Sequence, residues 1–136
     1  MHALIQPSEE RRLFERLVAY YNKLYQGTNF KMEEKVLSPE ELGEIFYTYP
    51  GEETDATFNE EVEEIEKAMA YGYDTPIIII RKEGKDILLD GHRRVKVAWD
   101  RKLQWKALVM IPDKEVDFGI EKMIIGKVKE KFGGGD

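Results

Sequence analysis

The chain has 136 residues, 42% hydrophobic and 35% charged, with a net charge of -6, which suits one compact domain. That acidity argues against bulk attraction to nucleic acid, which needs a basic face, and the absence of cysteine excludes disulfides, thiolate metal sites and a cysteine nucleophile. No apolar run reaches the ~20 residues that span a bilayer and no signal pattern opens the chain, so a soluble cytoplasmic protein is expected, with a charge-rich composition that leans towards a thermophile.

Ser8 precedes a 3.6-residue period in which Leu13, Leu17, Tyr20, Tyr21 and Leu24 share a face, which predicts a helix over 9–25 closed by Gly27. A short strand is expected over 34–37. Ser38-Pro39-Glu40-Glu41 is a capping box with proline at the first helical position, opening a helix that runs to Phe46 or Tyr47 before Pro50 and Gly51 break it. The loop that follows carries Glu52, Glu53 and Asp55. Thr57-Phe58-Asn59-Glu60 makes a second capping box for a helix to Tyr71, ended by Gly72. Pro76 then leads four isoleucines, Ile77 to Ile80, a run that suits a strand covered on both faces. Glu83-Gly84-Lys85 turns the chain into a partner strand over 86–89, and a helix over 91–101 buries Val95, Ala98 and Trp99. A strand is expected over 105–111, with Pro112 ending the sheet. The apolar positions Phe118, Ile120, Met123, Ile124 and Val128 predict one last helix over 117–132, ahead of a Gly133-Gly134-Gly135 tail.

The segment that carries chemistry is Asp90-Gly91-His92-Arg93-Arg94, where an apolar strand runs into a helix. Free N–H groups of a helix's first turn and the macrodipole make such a junction an anion site. Gly91 permits close backbone approach to a ligand, Arg93 and Arg94 neutralise oxygens, and Asp90 serves as a helix N-cap or a metal ligand. A solvated, salt-bridged helix start would use the same arginines. His2 and His92 are the only histidines, too few for a zinc cluster. Tyr20, Tyr21 and Tyr25 read as packing residues, Trp99 and Trp105 as core, and Glu60 to Glu66 as an exposed helix face. A Walker-type phosphate loop and a GxGxxG fingerprint are absent.

From Pro50 to Ile111 the order of residues resembles the ParB/sulfiredoxin superfamily: Phe58-Asn59-Glu60-Glu61, Ile65, Gly72, Pro76-Ile77-Ile78-Ile79, then Leu88-Leu89-Asp90-Gly91-His92-Arg93-Arg94 and Ala98. The resemblance implies an α/β (α+β) fold, a small mixed sheet with flanking helices and a phosphate-binding helix N-terminus. It divides a single domain, 1–136, into a helical N-terminal extension (1–49), a ParB-like core (50–111) and a C-terminal helix and tail (112–136). Sulfiredoxin chemistry is excluded, since His92 stands where that branch has its cysteine. Partition-type DNA binding is disfavoured by the acidic loop Glu52-Glu53-Thr54-Asp55.

The motif is similar to that of the archaeal free serine kinase branch, Asp-Gly-His-His-Arg, with arginine at Arg93 in place of the second histidine, and with Pro50-Gly51-Glu52 supplying the acid. That likeness implies a phosphotransferase or nucleotide hydrolase in which Glu52 is the base, His92 assists proton transfer, and Asp90, Gly91, His92, Arg93 and Arg94 cradle phosphate. Mg2+ would come with the nucleotide, and Asp90 would be its ligand. The expected partner is a nucleotide or phosphorylated small molecule. The alternative is a non-catalytic ParB-like module that holds DNA phosphate or regulates, and a homodimer built on the N-terminal helix stays open.

Overall fold

The structure, a computed structural model, describes residues 4–51 and 54–133. His2, Glu52, Glu53, Gly134 and Gly135 therefore lie outside the described residues. The fold is mixed α/β: a six-stranded sheet with helices on both faces.

Helix α1 is Pro7–Leu24, capped at Gln6 with Glu9 reaching back to the Gln6 N–H at 3.0 Å. Its buried stripe is Glu10, Phe14 and Val18, while Tyr20 and Leu24 of the expected apolar face stand 58% and 54% exposed. Strand β1, Phe30–Leu37, is twice as long as anticipated. The Ser38 capping box is present in full, with reciprocal bonds to Glu41 at 2.9 and 3.1 Å. The helix it opens, α2, stops at Gly43. Phe46 and Tyr47, expected to end the helix, instead join Thr48 in strand β2, Phe46–Thr48, because Ile45 and Tyr47 go into the core and the strand finds partners on both sides.

Helix α3, Asp55–Met69, starts ahead of the Thr57 box: its N-cap is Thr54, whose hydroxyl accepts from the Thr57 N–H. Strands β3, Ile77–Lys82, and β4, Lys85–Asp90, make the anticipated hairpin. Helix α4 is His92–Asp100 and strand β5 is Trp105–Pro112. Pro112 does not end the sheet and 117–132 is not one helix. A single 3-10 turn over Ile120–Met123 leads into strand β6, Ile124–Lys127, and a short helix α5, Val128–Phe132. Gly126, at φ 129, takes a backbone region closed to a continuing L-residue helix, and β6 pairs with β2 instead.

The strand order is β1-β5-β3-β4-β2-β6. The isoleucine run lies between β4 (antiparallel) and β5 (parallel), and its side chains alternate between two cores. Ile77 and Ile79 pack with Leu42, Tyr47, Val95, Ala98 and Val109 under α2, α4 and α5, whereas Ile78 and Ile80 pack with Phe14, Val18, Met110 and Phe118 under α1. All four are fully buried, which is why no polar residue interrupts the run. Helix α3 packs outside α4 through Val62, Ile65 and Val97. Opposite β3, strand β4 carries one extra residue, Leu89, between the pairs Ile79–Leu88 and Ile78–Asp90. Such a bulge bends the strand and re-aims the residue after it. It delivers Asp90 to the head of α4.

Candidate functional site

The turn is set by a left-handed glycine. Gly91 is the N-cap of α4 at φ 104, and a Cβ added there would sit 2.6 Å from Ile77 Cγ2, so its lack of a side chain admits the β3 strand rather than a ligand. The first α-helical bond, from the Val95 N–H to the Gly91 carbonyl, is 2.9 Å. Among the described residues no side chain caps this terminus, and the N–H groups of the first turn keep their capacity for an acceptor. Asp90 is therefore not the N-cap expected from the sequence; it ends β4 and accepts from Arg94 at 3.1 Å.

Arg94 is 5% exposed and anchors the turn from beneath. Its guanidinium donates to the Pro76 carbonyl and lies 2.9 Å from Glu10 Oε2 and 3.1 Å from Asp90 Oδ2. Glu10 is fully buried; burial and the neighbouring Asp90 push its carboxyl up to about 8 against the pull of Arg94. This triad ties α1 to the end of β4 and the start of α4. Glu10 was not singled out from the sequence, although its spacing of four and eight residues from Phe14 and Val18 places it on the buried stripe.

His92 is held by β2. Thr48 Oγ1 donates to the Leu88 carbonyl at 2.8 Å and lies 2.9 Å from His92 Nε2. The hydroxyl's one proton is spent on Leu88, so it accepts from His92, which fixes the Nε2–H tautomer. The ring stands edge-on to Tyr47, centroids 5.1 Å apart, and burial holds its pKa below the usual histidine value. With Nε2 donating, Nδ1 is the lone-pair nitrogen of the neutral ring. Arg93 reaches the other way, pairing through Nε with Glu61 Oε2 of α3 and lying 5.3 Å from the centre of the Phe58 ring.

These groups wall a cavity of about 250 Å³, completed by Leu4, Ile5, Glu61, Glu64, Ile65 and Tyr73. The N-terminal segment is fastened at its edge: the Tyr73 and Thr75 hydroxyls both donate to the Ile5 carbonyl, at 2.9 and 2.8 Å. Pro50, Gly51 and Asp55, which flank Glu52, border a second cavity of about 240 Å³ with Tyr47, Phe58 and Lys96. Phe58 under Arg93 and Tyr47 beside His92 stand between the two. The structure thus brings Asp90, Gly91, His92, Arg93 and Arg94 to one cavity. Glu61, expected on an exposed face, is drawn in by Arg93. Asp90 is the candidate Mg2+ ligand, but one of its oxygens already takes the Arg94 guanidinium, and no group of three or more metal-binding side chains forms among the described residues. The protein residues alone do not fit a magnesium cage; the ion would have to arrive on a ligand's phosphates.

No helix among the described residues is long and apolar enough to cross a membrane. No protein-family model matches the chain, and neither curated proteins nor solved structures give a significant match.

Proposed function

We propose that this is a ParB/sulfiredoxin-like domain that binds a nucleotide or other phosphate ester at the N-terminus of α4 and acts on it by phosphoryl transfer or hydrolysis. The observation that carries the reading is the N-terminus of α4, which no described side chain caps and which lines a cavity with Gly91, His92 and Arg93. Backbone N–H groups receive the phosphate oxygens, the Arg93 guanidinium swings from Glu61 to neutralise them, and Arg94 keeps the turn in place through Glu10 and Asp90. In this reading Glu52 is the base that orients the attacking hydroxyl or water. The acidic lining from Glu61, Glu64 and Asp90 favours a small ligand whose charge is met at one turn over an extended DNA backbone.

A thermal-shift series with ADP, ATP, CTP, pyrophosphate and a short DNA duplex, each with and without Mg2+, tests it. A ligand at about a hundredfold its dissociation constant adds ~2.7 kcal/mol. The expected result is a Mg2+-dependent rise with a nucleotide that disappears in Arg93→Ala. A rise with DNA alone, steeply lost with salt, establishes the regulatory module instead.

A further inference from the structure

We propose that the chain forms a two-fold symmetric dimer by pairing the edge strand β1 with β1 of a second copy, the axis passing through Glu34. This rests on a different part of the molecule from the phosphate site and is independent of it.

Strand β1 is an outer strand of the sheet, eight residues long, and its register with β5 runs without a bulge from Phe30 to Leu37. The edge has no proline, and its charges, Lys31, Glu33, Glu34 and Lys35, keep it from other strands unless they meet their opposites. The Asn29 carbonyl accepts from the Asp113 N–H at 2.9 Å. Alternation along an antiparallel ladder then directs the main-chain groups of Lys31, Glu33 and Lys35 to β5 and those of Met32, Glu34 and Val36 outward. An axis through Glu34 therefore sets outward residues against outward residues. Met32 exchanges main-chain hydrogen bonds with Val36 of the second copy, and Glu34 with its own counterpart.

The side chains match in this register on both faces. Met32 and Val36, 56% and 54% exposed in the single chain, cover one another across the join, beside a groove of about 540 Å³ between α1 and β1. On the opposite face each Glu33 meets Lys35 of the second copy at the close, non-hydrogen-bonded positions. The two Glu34 carboxylates at the axis are each already held by Arg11 of their own chain, at 2.8 and 3.0 Å. Moving the axis to Glu33 opposes Lys31 to Lys35 and Glu33 to itself, and moving it to Lys35 opposes that lysine to itself. An axis at Met32 also opposes unlike charges, Lys31 to Glu33, but pairs only Phe30 to Glu34 within the strand, against Lys31 to Leu37 for an axis at Glu34. Charge pattern and paired length together select Glu34.

The test is sedimentation equilibrium of the full chain from micromolar to millimolar concentration, with Glu33→Lys and Lys35→Glu made separately and then mixed. The wild type is expected at twice the 15.9 kDa monomer mass. Each single reversal creates two like-charge cross-strand pairs and weakens association by about tenfold or more. An equimolar mixture of the two variants, and the Glu33→Lys/Lys35→Glu double variant, regain the wild-type dimer because the opposed signs are restored. A wild type that stays monomeric throughout, or a dimer that either reversal leaves unweakened, overturns the proposal.

Discussion

Glu10→Gln is the sharpest probe of how the turn is held. Glu10 is fully buried and its carboxyl is raised from 4.5 to about 8, so between those values the folded chain holds a proton that the unfolded chain releases. The folded state binds more protons there, and stability must fall as pH rises from about 4.5 through about 8 and level off above. At ~1.4 kcal/mol per pH unit the ceiling on that loss is ~5 kcal/mol. A glutamine has the shape of the protonated acid: its carbonyl oxygen faces Arg94 and its amide can donate towards Asp90. The variant should match the wild type near pH 5 and exceed it above about pH 8, by up to that ceiling. Urea midpoints across this range, at constant m-value, read the difference directly. If the variant is instead weaker at every pH and keeps the wild-type slope, Glu10 is an ionised partner of Arg94 and does not hold a proton in the folded chain. Glu10→Ala, which leaves a void and removes one acceptor from a buried guanidinium, should cost ~3–5 kcal/mol near pH 5, a deficit that shrinks as pH rises through about 8 because the variant lacks the titration.

Gly91→Ala forces a Cβ to 2.6 Å from Ile77 Cγ2 at φ 104; a loss of ~2–4 kcal/mol in denaturant unfolding is expected, and Ile77→Ala, which costs core packing of its own but clears Cγ2, should combine with it less than additively. Thr48→Val strips the Leu88 carbonyl and His92 Nε2 of their shared hydroxyl, costing ~1–3 kcal/mol, and nitrogen chemical shifts should show His92 leaving the pure Nε2–H tautomer. Because burial lowers the His92 pKa, the unfolded chain takes up that proton first, so its contribution to stability should fall as pH drops below about 6.5; a proton titration of His92 with a midpoint above that value would contradict this. Glu52→Gln should abolish turnover of a bound nucleotide while leaving its affinity within about twofold.

Much of this architecture is written in local pattern. Four adjacent isoleucines demand two covered faces and receive them, and the Ser38–Glu41 reciprocity closes its helix start as the residue types require. The strands β2 and β6 are not local in that sense. Three residues at 46–48 become a strand only because β4 and β6, far apart in sequence, offer hydrogen-bond partners, and the apolar spacing of 117–132 fits a helix until Gly126 is placed. At the site, the Asp90–Arg94 turn was visible because charge, glycine and a strand-to-helix change coincide. The division of labour inside it was not. That Arg94 points down to Glu10, that Gly91 makes way for Ile77, and that Thr48 sets the His92 tautomer all depend on contacts spanning 14 to 84 positions of chain. A lone glutamate among Glu9, Glu10 and Glu15 reads as solvated; only its register with Phe14 and Val18 marks it as buried.

Phosphate binding at the head of α4 is read residue by residue in amide-resolved NMR of the chain titrated with a nucleoside triphosphate and Mg2+. Saturable shifts are expected to concentrate at the amides of Gly91, His92, Arg93 and Arg94, with Arg93 Nε responding as it leaves Glu61. Saturable shifts that bypass this turn, or none at all with any of the phosphate ligands, would contradict binding there.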